Sequence, residues 1–237
     1  MSWDAYAEQY RQVDHHADEV PPLLQRAFAG GSGRFLDVGC GEGFMLDRVR
    51  RHHPDWSTTG FEVSRARADM AAARGHEVLV DPSGTVPVPP AEFDVVASCH
   101  VIEHVPDDVA YAEHLASLVA PGGFLYVETP VKLSWAWYFR RNPEAGWVLD
   151  PTHVREYRSA EAANAPLLAA GLDIVEERTS AIQLSLASAE ALVRRVLGRP
   201  PSPRSTATGW RSRHLTLPRY RVQSVLLRKP IVAASSS

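Results

Sequence analysis

Cysteine is nearly missing from this 237-residue chain, with Cys40 and Cys99 the only two. Two thiols cannot build a disulfide framework, and both stand just after apolar runs where a small side chain suits a tight turn, so a reducing compartment is expected. Lysine is scarce as well, found only at 132 and 229 while arginine is abundant, a usage that with the many alanines fits a GC-rich bacterial source. No apolar run approaches the ~18 residues of a membrane-spanning helix, and the N-terminus lacks a basic-then-apolar leader pattern. A cytoplasmic protein without a transmembrane segment is expected. No internal repeat is present. Acidic residues stop at Glu190. Beyond it nine arginines and Lys229 stand unopposed, so the first 190 residues carry about −13 beneath an overall net charge of −3.

What is present fits one α/β domain. At 45% hydrophobic content the chain can bury a full core. Residues 34–38 (RFLDV) read as a buried strand, and Phe44, Met45 and Val49 return at helical spacing. Between them lies Asp37-Val38-Gly39-Cys40-Gly41-Glu42-Gly43, a glycine-rich strand-to-helix turn open to close ligand approach, with Asp37 as an acceptor for a cationic group. A second strand over 57–62 ends in Glu62, where a carboxylate can take both hydroxyls of a ribose. Ser64 caps a helix over 65–74 that Gly75 ends. Further strands are expected at 77–80, closed by Asp81, at 93–98, followed by Cys99-His100 and a helix start, and at 124–129. The last two are expected at 172–178 and 219–228. Such alternation predicts a parallel sheet covered on both faces, with ligands beyond the strand carboxyl ends. Pro166 falls inside the helix expected over 160–170 and should kink or split it.

In their order and spacing, DVGCGEG, GFEVS, FDVVASCHVIEHVPD and LVAPGGFLYVETP resemble the motifs of the class I S-adenosylmethionine-dependent methyltransferases, across about residues 34–130, and in particular the small-molecule branch that includes the ubiquinone-biosynthesis O-methyltransferases. A dinucleotide-dependent dehydrogenase would show G-x-G-x-x-G, whereas here the third glycine comes one residue early and position 44 is Phe. The resemblance implies a Rossmann-like seven-stranded, mostly parallel sheet with an antiparallel last strand and helices on both faces. It implies one domain over 1–237: N-terminal lid helices in 1–30, a cofactor-binding core in 34–130, and substrate-side insertions at 131–158 and 181–218. It also implies that Asp37, Gly39, Cys40, Gly41 and Gly43 line the methionine part of S-adenosylmethionine, that Glu62 holds the ribose, that Asp81 approaches the adenine amino group, and that Cys99 and His100 flank the sulfonium.

The acceptor side is less defined. Tyr6 and Tyr10 share a helix face in a segment that resembles a lid helix. The stretch 133–150 holds Trp135, Trp137, Tyr138 and Trp147, an aromatic lining suited to a flat or apolar substrate, with Arg140 and Arg141 available to an anionic group. A helix at 186–197 is expected to cap the pocket or make a dimer contact, so monomer and homodimer both stand. The Pro/Ser-rich 199–209 stretch, with Arg194, Arg195, Arg199, Arg204, Arg211 and Arg213 clustered around it, leaves nucleic acid or an acidic membrane surface open as a partner beside a plain solvated face. His100, Glu103 and His104 are spaced i, i+3, i+4, so a helix would put them on one face, and His153 could join them around a divalent transition metal. That pattern resembles the E-x-x-E-H metal motif of small-RNA 3′-terminal 2′-O-methyltransferases and ubiquinone-biosynthesis O-methyltransferases, with His100 in place of the first glutamate. Alternatively His100 or His153 acts as the general base for a hydroxyl acceptor, or the histidines are structural. The expected function is methyl transfer to a small molecule, at oxygen of a natural-product or sugar intermediate; metal-assisted RNA 2′-O- or lipid methylation and non-catalytic cofactor binding are the alternatives.

Overall fold

In a computed structural model of the chain, the described residues are 4, 19–133, 140–142, 146–150, 152–185 and 214–231. Seven strands form one sheet: β1 Gly33–Val38, β2 Trp56–Glu62, β3 Glu77–Val80, β4 Phe93–Cys99, β5 Val119–Lys132, β8 Asp173–Ser185 and β9 His214–Arg228. Their spatial order is β3-β2-β1-β4-β5-β9-β8, parallel throughout except for β9, which runs antiparallel to both neighbours. The expected mostly parallel sheet with an antiparallel last strand is therefore what forms.

Alternation along the strands explains the two-sided core. Phe35, Val95 and Leu226 point to one face, where they meet Leu24 of α1 (Pro22–Gln25) and Leu46 of α2 (Phe44–His52). Their chain neighbours Leu36, Val96 and Leu227 point to the other, against Leu115 of α4 (Asp108–Leu118) and Leu167 of α5 (Ala160–Ala169). Both faces of the sheet are thus apolar, as a helix-covered parallel sheet requires. Between β2 and β3 lies α3 (Arg65–Ala73), whose start Ser64 caps by accepting from Arg67 N–H at 3.4 Å. Lys229, one of the two lysines, donates to the carbonyls of Ala116 and Val119, which satisfies acceptors at the end of α4.

Three expectations are corrected. His100, Glu103 and His104 do not share a helix face: His100 has φ of 58°, and only a short 3-10 turn spans Ile102–His104. Pro106 drives Val105 into extended backbone, so the α-helix can begin only at Asp108, capped by Asp107. Pro166 does not split α5; the hydrogen bond it forgoes would use the carbonyl of the exposed Ala162. The 181–218 insertion is shorter than expected, since β8 and β9 continue pairing through Gln183↔Thr216 to Ser185↔His214. A small hairpin, β6 Arg140–Asn142 with β7 Gly146–Val148, forms inside the tryptophan-rich connection. The expected helix at 186–197 and the Pro/Ser-rich 199–209 stretch lie outside the described residues. No helix among the described residues is long and apolar enough to cross a membrane.

Candidate active site

The strand order reverses between β1 and β4, which opens a crevice beyond their carboxyl ends. There a cavity of about 1290 Å³ is walled by the ends of β1, β2, β4 and β5 and, on its far side, by β8 and β9. Single-ligand pockets run to ~1000 Å³, so this one has room for a cofactor and an acceptor together.

The glycine turn is shaped by close approach. A Cβ at Gly39 would stand 2.4 Å from Val101 Cγ2, and φ there is 83°, so no larger residue fits. Gly43 does different work. It lies off the cavity wall, and a Cβ on it would meet His76 Cδ2 at 2.8 Å, so its bareness lets α2 pack against the start of β3. Cys40 is buried beside Gly60, with its thiol pushed far up by burial. It is a packing residue at a wall of the cavity, not a nucleophile.

Glu62 is buried and locks the turn: one carboxylate oxygen accepts Gly41 N–H and the other Ser64 N–H, each at 2.9 Å. Asp37, also buried, has its pKa pushed up to about 7, by burial first and then by the charge of Glu62, against the opposing pull of Arg48. A buried carboxylate of that kind favours a cationic ligand. Asp4 reaches this end of the cavity from the N-terminal segment, accepting from Ser64 Oγ at 2.7 Å and Ala66 N–H at 3.3 Å. At the other end the wall is Pro82–Thr85 and His114; Asp81 stands behind it, its Oδ1 accepting Ser83 N–H at 2.8 Å.

At the end of β4, Cys99 has its thiol raised by burial. His100 lines the cavity with half its side chain exposed, and its amide donates to the Glu128 carbonyl at 2.8 Å. Burial works against its charged form, but Glu103 and then Glu128 outweigh this and hold its pKa above the ordinary histidine value. Glu103 is buried at 1% exposure, with its pKa lowered to about 2 because His100, His104 and His153 overcome the cost of burial. Its Oε2 accepts from Thr129 Oγ1 at 2.9 Å; among the described residues its Oε1 has no hydrogen-bond partner. His153 Nε2 is 4.0 Å from that orphan oxygen, and the His104 and His153 rings meet edge-on at 4.7 Å.

Of the four expected metal ligands, Glu103, His104 and His153 come together, with donor atoms within 4.8 Å of one another. His100 stands outside that group, with its Nδ1 3.6 Å from Glu103. His153 is buried behind the cavity wall, whereas His100 and His104 lie on it. Trp147 is exposed and off the wall, its carbonyl held by Lys132 Nζ at 2.6 Å. Tyr6, Tyr10, Trp135, Trp137 and Tyr138 lie outside the described residues.

Several site residues escaped the sequence reading. Glu156 accepts from His153 Nδ1 at 2.9 Å, and Arg155 donates to the carbonyls of Ile102, Val105 and Pro106, so the 152–157 loop is tied to the 102–106 turn. Glu156 falls three residues after His153, a spacing that could have flagged it. Tyr126 and Glu128 lie inside the LVAPGGFLYVETP stretch without a role assigned to them there, and Ser224, on β9, lies in none of the motifs.

A family model described as a methyltransferase domain matches residues 7–177. A ubiquinone biosynthesis O-methyltransferase of Sinorhizobium medicae (strain WSM419) is 32% identical over 154 residues, covering 60% of this chain and 61% of that protein. The solved structure of phosphoethanolamine N-methyltransferase 2 of Haemonchus contortus, in complex with S-adenosyl-L-methionine, aligns with a TM-score of 0.57 at 16% identity, over 88% of this chain and 51% of that one. The [4+2]-cyclase SpnF aligns with a TM-score of 0.62 at 22% identity, over 88% and 79%. These structural likenesses are of fold alone, and one of them belongs to a cyclase. The chain spans between about half and three fifths of the curated relatives it matches. With the family match running from the N-terminal segment through β5 and into β8, over the same glycine turn, acidic strand end and strand order that enclose the cavity, the chain belongs to the methyltransferase-domain family.

Proposed function

We propose that the protein transfers a methyl group from S-adenosylmethionine to a small-molecule acceptor, at an oxygen of a natural-product or sugar intermediate. The observation that carries this reading is the single cavity in which the glycine turn, Glu62 and His100 share walls with a second compartment under Tyr126, Glu128 and Val222. When bound, the cofactor supplies a methyl carbon already activated by its sulfonium. The chain's own residues then have three tasks. Asp37 takes the amino-acid ammonium, which offsets the cost of burying its charge beside Glu62. Glu62 takes the ribose hydroxyls, and the wall at Pro82–Thr85 closes over the adenine. His100 accepts the proton of an acceptor hydroxyl as the oxygen becomes the nucleophile. The 32% identity to a protein named as an O-methyltransferase supports oxygen over nitrogen. A methyl-labelled transfer screen over phenols, sugars and amines tests the reading. Tight S-adenosylhomocysteine binding with no transfer to any acceptor would make this a cofactor-binding protein without transferase activity.

A second reading adds a divalent metal held by Glu103, His104 and His153, and the orphan Glu103 oxygen favours it. Two imidazoles and a carboxylate suit Zn²⁺, Fe²⁺ or Mn²⁺ better than Mg²⁺. His104 would offer Nε2, since Thr152 engages its Nδ1 at 3.0 Å, and Glu156 already fixes the His153 ring. Bound there, the metal would act as a Lewis acid on an acceptor hydroxyl. Elemental analysis of the purified protein is the test, and a metal-free, fully active preparation removes the metal. RNA or lipid acceptors rest on arginines outside the described residues; salt-sensitive nucleic-acid binding would bring RNA forward.

A further inference from the structure

We propose that Glu128 selects the acceptor: it is a fixed carboxylate that takes a molecule presenting a hydroxyl or ammonium donor and refuses one that is anionic at that position. The inference rests on the methyl-transfer reading of the cavity. Glu128 is paired in register with Cys99 on one side and Ser224 on the other, so it stands beside the β4 end where transfer would occur. Its backbone is pinned by the His100 amide. Its Oε1 accepts from the Tyr126 hydroxyl and, at 2.8 Å, from the Ser224 hydroxyl. Two donors on one oxygen fix the carboxylate's orientation, and among the described residues no donor reaches Oε2. The cation on the same wall, Arg178, shares the Glu128–Ser224 register row across β9 and β8. It is therefore two strand spacings from Glu128, about 10 Å, and its guanidinium turns to Glu176 at 3.5 Å.

Around Glu128 the far wall is largely apolar, with Val222, Ile182 and Leu149. In such surroundings a pre-oriented carboxylate makes a charge-assisted hydrogen bond to a donor, while a second anion beside it would meet the Glu128 charge, with the nearby His100 already engaged by Glu103. The competing use of the same charge is to hold the cofactor sulfonium instead, which the experiment separates.

The test uses three probes on one ring, tyramine, tyrosol and 4-hydroxyphenylacetate, which end in an ammonium, a hydroxyl and a carboxylate. Their affinities are measured by ligand-observed NMR on the full chain saturated with S-adenosylhomocysteine. The amine and the alcohol should bind the wild type about tenfold or more tighter than the acid, and Glu128→Gln should erase that preference while leaving the S-adenosylmethionine to S-adenosylhomocysteine affinity ratio unchanged. Ser224→Ala, which loosens the carboxylate without removing its charge, should keep the sign of the preference and shrink it. Equal or absent binding of the three probes, a preference untouched by both variants, or a Glu128→Gln protein that loses only S-adenosylmethionine affinity overturns the assignment. Failure to bind S-adenosylhomocysteine at all sinks the methyl-transfer reading itself, whereas binding it without charge preference sinks only this inference.

Discussion

The two compartments of the cavity are built by different means. The side proposed for the cofactor, from β1 to β4, is made of short consecutive stretches: a turn in which Gly39 and Gly43 have no room for a side chain, and a carboxylate, Glu62, that binds two backbone amides. The side proposed for the acceptor is assembled from residues far apart in the chain, with Tyr126 and Glu128 on β5, Ser224 on β9 and Arg178 on β8 brought into rows by antiparallel register. The first kind of site depends on backbone shape and fails all at once when that shape is lost. The second depends on individual side chains and should change by degrees.

The largest expected effect therefore comes from the cofactor side. Gly39→Ala forces a Cβ to within 2.4 Å of Val101 at a φ of 83°. Strain plus overpacking should cost ~2–4 kcal/mol of stability and remove S-adenosylhomocysteine binding by calorimetry. A variant that binds normally would mean that the turn can reshape. Gly43→Ala meets His76 instead, and should lower the melting temperature while binding survives. If both variants lose binding equally, the two glycines do not have separate roles.

Asp37→Asn comes next, and its sign follows from linkage. The folded-state pKa of Asp37 is raised to about 7 from 3.8, so its contribution to stability is greatest below about pH 4 and is lost as pH rises toward 7. A shift of that size corresponds to at most a few kcal/mol. The melting temperature of the cofactor-free wild type should fall over that range more than that of Asp37→Asn. Cofactor affinity should move the opposite way: wild-type binding tightens as Asp37 ionises, and the variant binds weakly at every pH. A wild-type affinity flat between pH 5 and 8 would separate Asp37 from the cofactor's cation.

The same contrast sets what could be read from the sequence. The glycine turn, the Glu62 strand end and the β3 bounds at 77–80 were legible because each is local: an apolar run, a turn residue and a carboxylate within a few positions. The Glu103–His104–His153 grouping was legible as composition but not as geometry. Its expected helix failed on Pro106, a local residue, and its completion by Glu156 and Arg155 required a loop to fold back from fifty residues away. Glu128 lies inside the LVAPGGFLYVETP stretch, but that stretch marks a strand and does not say which of its side chains faces an acceptor. Tyr126 shares its strand face by alternation two residues earlier, and only the pairing of β5 with β9 brings Ser224 to the same oxygen.

Thr129→Val probes a buried charge behind the cavity wall. Thr129 supplies the one hydrogen bond to Glu103 Oε2, and the isosteric valine would leave that carboxylate less well satisfied. A charge-assisted hydrogen bond is worth ~1.5–3 kcal/mol, so the melting temperature should drop by several degrees while S-adenosylhomocysteine affinity stays within about twofold. The drop should shrink if a divalent ion is added and the three-residue group holds it. Loss of cofactor affinity would couple the two compartments more tightly than their separate construction implies.

The smallest effect concerns the one described contact of the N-terminal segment with this site. Ser64 both caps α3 and donates to Asp4, so Ser64→Ala should cost ~1 kcal/mol as a lost cap, or roughly 2–4 °C for a chain of this size. Asp4→Ala leaves the Ser64 cap in place and removes the tether together with the acceptor of the Ala66 amide. If that contact also slows cofactor escape, Asp4→Ala should lower the melting temperature of the cofactor-free protein no more than Ser64→Ala does and speed S-adenosylhomocysteine release in a stopped-flow chase. Equal release rates would confine the contact to capping α3, and the cofactor side would then hold its ligand by the turn and Glu62 without help from the segment that precedes them.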